Sequence, residues 1–224
     1  MAKSITFGTT LRVEPSNCLP ALGLILLFHL SLIELRPWRC VRLSTSTLTP
    51  VVIYTDASCE AAEDGHVVDL CFVLIDRLSQ VGGRARLTQA VLASMDKKQT
   101  YISHGEAFAP LFCLYHVGRQ IFGRSIIWFI DNMGILAAYT KGSSCTGDIS
   151  CIVHAMLLSS AKLRLKSWFE HVDSHANPAD GGTRGKDKAL NMILPVLPLP
   201  PWPTNTSEAP PAVWLSWLNF HFKV

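Results

Sequence analysis

Four acidic residues stand where they could act together, and two of them follow apolar runs. Asp56 comes after residues 51–54, "VVIY", and Asp131 comes directly after "SIIWFI". Short apolar runs of this kind are typical of buried strands. If the two strands are parallel neighbours, both carboxylates reach the same end of one sheet and could share a metal ion. The alternative is that Asp56 only begins a turn, for which Asp-Ala-Ser is suitable chemistry.

The other two acids also have local structural alternatives. Glu106 lies in the predicted first turn of a helix that would run beside the same strands. Residues 103–106 have the S-x-x-E spacing of a capping box, in which Glu106 would only bind the backbone. Asp180, in "NPADGGTR", could be a helix N-cap or a turn residue. Four such acids in one order of elements favour a shared site over four separate local roles.

The segments between these acids alternate in pattern. After the first strand, residues 67–76 and 84–92 read as strands separated by the turn-prone "SQVGG", which predicts an antiparallel meander. Helical spacing follows over residues 103–123, with Gly123 placed to end the helix. The uninterrupted run "SIIWFI" then predicts a strand covered on both faces. The remaining elements are two helices over 133–142 and 148–165, a strand over 167–172, and a final helix.

The order of these elements, β-β-β-α-β-α-α-β-α, predicts an α/β fold in which helices cover a mixed sheet. We expect this domain to span residues 49–191. An N-terminal extension, 1–48, precedes it, and a Pro-rich, aromatic tail, 192–224, follows it. The proline-rich part, from 194 to 211, predicts an extended and poorly ordered segment. The aromatic end, "AVWLSWLNFHF", could dock on the domain or on a partner.

Residues 18–34, "CLPALGLILLFHLSLIE", are the most apolar part of the N-terminal extension. Their apolar core of about 15 residues is shorter than the roughly 20 that a membrane-spanning helix needs, and it contains His29 and ends at Glu34. We therefore expect a buried helix. A membrane or signal segment is the alternative.

Composition narrows the class of protein. The chain has 224 residues, of which 49% are hydrophobic and 17% charged, as in a packed globular protein. A net charge of +3 is too small to identify a nucleic-acid binder. The seven cysteines are odd in number and form no C-x-x-C pair, which argues against a disulfide framework. We expect an intracellular protein of the nucleus or cytoplasm.

Four short motifs occur in a recognisable order: "YTDAS", "GEAFA", "WFIDNMGILAAYTKGSS" and "WFEHVDSHANPADGGTR". Together they resemble the ribonuclease H domain of reverse-transcribing retroelements, over about residues 51–190. The resemblance implies a ribonuclease H-like fold with a mixed five-stranded sheet whose first three strands are antiparallel. It also implies hydrolysis of the RNA strand of RNA/DNA hybrids by a site of four acids. Carried over by motif, these acids are Asp56, Glu106, Asp131 and Asp180.

The implied chemistry explains why acids are needed. Phosphodiester hydrolysis requires a nucleophilic water and a stabilised leaving oxygen, and two Mg²⁺ ions about 3.5–4 Å apart can provide both. Bound metal also relieves the repulsion between clustered carboxylates. We expect Mg²⁺, with Mn²⁺ as a substitute. Asp56 and Asp131 would form the core of the site, Glu106 would bind one ion and Asp180 the other. Bridging of the two ions by Asp56 is implied by the resemblance alone.

Further residues are candidates for proton transfer and for binding the hybrid. In the cellular members of the family a loop histidine assists product release or proton transfer. His175, in a polar loop, is our candidate for that role, whereas His171, at a strand end, is expected to be structural. A hybrid is recognised through groove shape, phosphates and 2′-hydroxyl groups. The candidate polar donors are Ser58, Asn132 and Asn177, and the candidate phosphate contacts, each of which could equally be a solvated surface charge, are Lys141 and Arg184.

Two other classes of protein stay open. The domain could be an inactive remnant of a retroelement that survives as a nucleic-acid-binding module, or a membrane-tethered protein anchored by residues 18–34. We consider a membrane partner the weaker of these interpretations. The chain has no Y-x-D-D motif, so we expect it to be at most the hydrolytic part of a larger element, with the polymerase part as a candidate partner. An integrase-like transferase is disfavoured because its last acid would normally be a helical Glu.

Overall fold

The computed structural model describes residues 49–63, 65–77, 79–95, 100–185 and 194–200. The apolar segment 18–34 and the aromatic end of the tail lie outside these ranges. Within them, no helix combines the length and the apolar composition needed to cross a membrane.

One mixed sheet of five strands organises the domain, in the order β3-β2-β1-β4-β5. The first three strands, β1 (Val51–Ala62), β2 (Gly65–Asp76) and β3 (Ser79–Arg86), form an antiparallel meander. The other two, β4 (Ser125–Ile130) and β5 (Lys166–His171), run parallel to β1. The predicted fold class, an α/β fold with a five-stranded mixed sheet whose first three strands are antiparallel, is confirmed.

Five α-helices flank this sheet in the described part of the chain. The longest two are α2 (Ile102–Val117) and α4 (Gly147–Lys162). The short helix α3 (Met133–Lys141) ends at Gly142, whose φ of 77° is the left-handed conformation that glycine accepts at helix ends. The remaining helices are α1 (Gln89–Ala93) and α5 (Pro178–Thr183), and a 3₁₀ turn (Ser174–Ala176) precedes α5.

The predicted third strand was wrong in its position. The structure places β3 at residues 79–86, so the "SQVGG" that reads as a turn is part of the strand, and α1 begins within the predicted strand 84–92. The chain instead reverses around Arg77, whose φ is 55°. Gly83 allows Phe72 and Leu197 to pack closely against β3, since a Cβ atom built on it would lie 3.0 Å from Phe72 Cε1 and 2.3 Å from Leu197 Cδ1.

Two other predicted features also differ. Helix α2 ends at Val117, six residues before Gly123, and a turn that follows it brings the chain to Gly123, where φ is 72°. Strand β4 is not fully covered on both faces: its residues alternate, with Ile126 and Trp128 buried but Ile127 and Phe129 only partly buried. One face of the sheet therefore holds most of the core.

The main core lies between the sheet and helices α2, α3 and α4. Its largest fully buried side chains include Trp128, Phe72 and Phe108. On the opposite face a small cluster forms under α5, from Cys71, Val73, Ala179 and Leu194. The two faces of the sheet are thus unequally covered by the described residues.

Residues 194–200 run along the outer edge of β3 in an extended conformation. The Arg84 N–H donates to the Pro195 carbonyl at 3.0 Å, and the Leu197 N–H donates to the Arg84 carbonyl at 2.8 Å. Leu194 packs in the small cluster, whereas Leu197 packs against the main core. This proline-rich stretch is therefore extended, as its composition predicts, but it is packed against the domain.

Gly105 brings α2 unusually close to the sheet, which leads to a prediction. A Cβ atom built on it would lie 2.7 Å from Val68 Cγ1 and 2.8 Å from Ala57 Cβ, neither of which can swing away freely. We expect Gly105→Ala to lower the free energy of unfolding by about 1–3 kcal/mol, measured by urea denaturation. Gly147→Ala is the control, because nothing lies within 4 Å of its built Cβ. Equal stability of the two variants would contradict the close approach.

Candidate active site

The parallel pairing of β1 with β4 places Asp56 beside Asp131. The last pair in the register is Tyr54 with Phe129, and each aspartate comes two residues later on its own chain. Side chains two residues apart on a strand point to the same face. Strand β1 does not end where its apolar run ends, because it continues to Ala62 in its pairing with β2. What ends at Tyr54 is the pairing with β4.

Helix α2 supplies the third carboxylate. The capping box, which was the structural alternative for Glu106, does not form, because the N-cap position of α2 is Tyr101 and Glu106 is the fifth helical residue, beyond the first turn. The Glu106 side chain is 4% exposed and accepts a hydrogen bond from the Ala57 backbone N–H. One ligand oxygen from each of Asp56, Glu106 and Asp131 lies within 4.8 Å of the others. The purely local role for Glu106 is therefore wrong.

Burial and mutual repulsion shift the pKa of two of these acids. Burial, followed by the charges of Asp56 and Asp131, raises the pKa of Glu106 to about 9, although the Ala57 N–H opposes the rise. Burial also raises the pKa of Asp56 to about 6, against the stabilising hydrogen bond from Thr183. Carboxyl pKa values that burial and neighbouring carboxylates raise in this way are typical of functional sites.

The donor set fits a divalent metal ion. Glu106 Oε2 and Asp131 Oδ1 are buried and have no hydrogen-bond partner within the described residues. Unpaired buried oxygens are unfavourable, and a hard cation such as Mg²⁺ or Mn²⁺ coordinates oxygen ligands of this kind. Asp56, Glu106 and Asp131 could therefore hold one ion between them.

Asp180 approaches this group from α5 but has a partner of its own. It is the third residue of α5, and its Oδ1 accepts a hydrogen bond from Arg184 Nε at 2.8 Å. It lies outside the compact group of three ligands, yet its charge still raises the pKa of both Asp56 and Glu106. The structure thus brings three of the four predicted acids together and places the fourth nearby.

Two hydroxyl groups that the sequence analysis missed orient the aspartates. Thr183 Oγ1 donates to Asp56 Oδ2 at 2.6 Å, and Ser174 Oγ donates to Asp131 Oδ2 at 2.9 Å. Thr183 stands in "GGTR", three residues after Asp180, and this place in the last motif could have indicated that it lies near the acids. Ser174 carries no comparable signal, because its contact depends on how the loop after β5 folds back to β4.

The three predicted polar donors all make hydrogen bonds within the protein. Asn132 caps α3, its Oδ1 accepting from the Gly134 and Ile135 N–H groups. Asn177 is buried, caps α5 and donates from Nδ2 to the Thr55 carbonyl at 3.0 Å. Ser58 donates to the Thr183 carbonyl at 3.3 Å. Asn132 and Ser58 stay partly exposed, so they remain more accessible to a ligand than Asn177 does.

The predicted histidine and the two predicted phosphate contacts are all exposed. His175 is exposed in the 3₁₀ turn, and Lys141 is the exposed last residue of α3. Arg184 is 60% exposed and pairs with Asp180. Beside it lies a cleft of about 910 Å³, whose lining includes Ser58, Thr183, Arg184, Arg84 and Arg86.

Among known proteins, matches to this chain occur only among the solved structures. No protein-family profile and no curated protein matches the chain. The RNase H1 of the halophilic archaeon Halobacterium salinarum NRC-1 is 15% identical, covers 63% of this chain and 99% of its own, and has a TM-score of 0.44. The N-terminal RNase H domain of a Mycobacterium tuberculosis protein, solved as a fusion with maltose-binding protein, is 12% identical, covers 63% and 98%, and has a TM-score of 0.38. Likeness at this level says nothing about activity.

The raised pKa values predict how stability depends on pH in the absence of metal. Between its ordinary value of 4.5 and about 9, Glu106 holds a proton in the folded protein that the unfolded chain has released. The contribution of Glu106 to the free energy of unfolding should therefore be largest below pH 4.5 and should fall as pH rises towards 9. Urea denaturation in EDTA across this range measures the slope, and Glu106→Gln should flatten it.

Added Mg²⁺ provides the complementary measurement. Because metal binds the deprotonated carboxylates, its stabilising effect should grow as pH rises over the same range. A metal effect that is independent of pH, or a slope in EDTA that Glu106→Gln leaves unchanged, would contradict a buried protonated Glu106.

Proposed function

We propose that this chain is a retroelement-type ribonuclease H, which hydrolyses the RNA strand of RNA/DNA hybrids with divalent metal ions. The observation that carries the proposal is the group formed by Asp56, Glu106 and Asp131, with its buried, unpaired carboxylate oxygens. The order of the sheet strands and the series of motifs that resembles this family are consistent with it. Asp180 would complete the site from α5.

Each side chain has a distinct role in this proposal. Asp56, Glu106 and Asp131 would hold one Mg²⁺, and Asp56 with Asp180 would hold a second. The ions would supply positive charge to the scissile phosphate and lower the pKa of bound water. Thr183 and Ser174 fix the orientation of the two aspartates, so their remaining oxygens need not reorganise during the reaction. His175, exposed beside the site, is the candidate for proton transfer to the leaving group or for product release.

The exposed polar and charged side chains of the domain suit an interaction with the sugar-phosphate backbone of a nucleic acid. Arg184 and Lys141 are exposed cations that could contact phosphates, and Ser58 and Asn132 are partly exposed polar groups. Such groups read phosphates and 2′-hydroxyl groups without distinguishing bases. We therefore propose low sequence preference. The polymerase part of a retroelement would be the partner that delivers the hybrid.

Cleavage assays with Asp131→Asn test the proposal directly. Asparagine preserves the shape of the side chain but removes the charge that holds metal. With Mg²⁺, the wild-type chain should cleave the RNA strand of a labelled hybrid and should spare double-stranded RNA and DNA of the same sequence. We expect Asp131→Asn to lower the cleavage rate by at least about 100-fold. Loss of a group that only orients a metal ligand already lowers metal affinity or activity by roughly 10–100-fold.

Asp173→Asn provides a control with the same change in charge, since Asp173 is exposed in the loop after β5. It should retain wild-type cleavage. A folded wild-type protein that cleaves no hybrid with Mg²⁺ or Mn²⁺ would overturn the enzymatic proposal. Hybrid binding without cleavage would then identify an inactive nucleic-acid-binding remnant.

Thr183 allows a finer test of the metal site. Thr183→Val removes the 2.6 Å hydrogen bond to Asp56 while keeping the volume of the side chain. The Mg²⁺ concentration that gives half-maximal cleavage should rise by roughly 10–100-fold, because groups that orient metal ligands affect affinity by that amount. Thr183→Ser keeps the hydroxyl and should stay near wild type. If valine and serine shift the Mg²⁺ dependence equally, the hydroxyl does not act through Asp56.

A further inference from the structure

The face of the sheet opposite α2 carries an apolar surface that the described residues leave partly open. It is formed by Val52, Ile127, Phe129 and Trp168, which we call the outer sheet face. Val52 pairs with Ile127 and Ile127 pairs with Trp168, so these residues form a continuous row across three strands. Phe129 extends the row, and its ring stacks on Tyr54 at 4.9 Å.

These four side chains lie outside both core clusters of the described residues. Trp168 is 65% exposed, and the other three are partly exposed. Helix α5 packs on β1 and β2 over the small cluster of Cys71 and Val73. Contiguous apolar surface of this kind in a parallel sheet is normally covered, because helices lie on both faces of such sheets.

We propose that residues 18–34, the apolar segment of the N-terminal extension, pack on the outer sheet face. The chain reaches β1 at Thr49, which is held at the start of the strand. Arg124 donates to the Thr49 carbonyl at 3.0 Å, and Arg77 donates to its hydroxyl at 3.2 Å. Val52 follows three residues later. The extension therefore enters the domain at the end of the sheet where the row of Val52, Ile127 and Trp168 lies.

The dimensions agree with this arrangement. As a helix, a segment of this length would be about 25 Å long. The row from β1 to β5 spans roughly 10 Å, at about 4.8 Å between neighbouring strands. The connection through residues 35–48 can extend about 45 Å, so it does not restrict the approach. Apolar side chains dominate residues 18–34, which suits a surface of Val, Ile, Phe and Trp.

The C-terminal tail is the less suitable occupant because of where it leaves the domain. Residues 194–200 pass from the small cluster at Leu194 to the main core at Leu197 and Leu199. The Pro198 carbonyl lies 2.8 Å from His116 Nε2, on α2. The described part of the tail therefore ends on the α2 side of the sheet, away from the outer sheet face.

Hydrogen exchange of the full chain tests the proposal. Trp168→Glu places a charge on the outer sheet face at an exposed position of the edge strand, so the domain should stay folded. Backbone amides of residues 18–34 should be protected in the wild type and should exchange at least about tenfold faster in the variant, because local undocking exposes them. Met133→Glu is the control, since Met133 is an exposed apolar residue, 61% exposed, on α3. It should leave the exchange of residues 18–34 unchanged.

Four results would overturn the assignment. Exchange of residues 18–34 that is the same in wild type and Trp168→Glu would show that the segment lies elsewhere. A change confined to residues 212–222 would assign the face to the tail. Flotation of the wild-type chain with neutral phosphatidylcholine vesicles, or a dimer in sedimentation that Trp168→Glu dissociates, would assign it to a membrane or to a second copy. None of these results depends on catalysis, so the proposed function is tested separately.

Discussion

The parallel pairing of β1 with β4, and the point at which it stops, is the constraint on which the candidate site depends. The register ends at Tyr54 and Phe129, and each aspartate follows two residues later on its own chain, where one oxygen of each lies within 4.8 Å of the other. A slip of one residue would turn one of the two carboxylates to the opposite face. Beyond the last pair, β1 stays bonded to β2 but no longer to β4, and Glu106 reaches the carboxylates there from α2. One local change in strand pairing thus defines where three acids from distant parts of the chain can meet.

Holding three carboxylates in a buried place is unfavourable, so the helix that carries Glu106 must be fixed by other contacts. His104 Nε2 lies 2.6 Å from Asp148 Oδ2, a buried pair that joins α2 to α4. The Tyr139 hydroxyl donates to the Ala107 carbonyl at 2.5 Å, which joins α2 to α3, and Gly105 allows direct contact of α2 with β1 and β2. These contacts surround Glu106 along the helix. They explain how the folded protein can keep a carboxyl group whose pKa is about 9 without letting α2 move away.

The sheet and its acids were predictable because strand-end carboxylates and apolar runs are local signals. Asp131 directly after "SIIWFI" is such a signal, and it led correctly to the neighbour of Asp56. The errors arose where a tertiary contact overrides a local pattern. Gly82 and Gly83 suggest a turn, but they lie in β3, where the packing of Phe72 and Leu197 leaves no room for a Cβ at Gly83. The S-x-x-E spacing suggests a cap, but α2 begins one residue before Ser103, so that Glu106 lies in its second turn.

Asp180 differs from the other three acids in what supports it. Helix α5 has six residues, too few to be stable alone, so its position depends on contacts with the sheet. Asn177 bonded to Thr55, Thr183 bonded to Asp56 and Gly182 against Cys71 provide them. The pair between Asp180 and Arg184 lies near the surface, where such pairs contribute only about 0–1 kcal/mol. If Asp180 binds a metal ion as proposed, that pair is therefore too weak to hold it to Arg184. The site accordingly combines three carboxylates fixed by the sheet and α2 with a fourth whose partner can change.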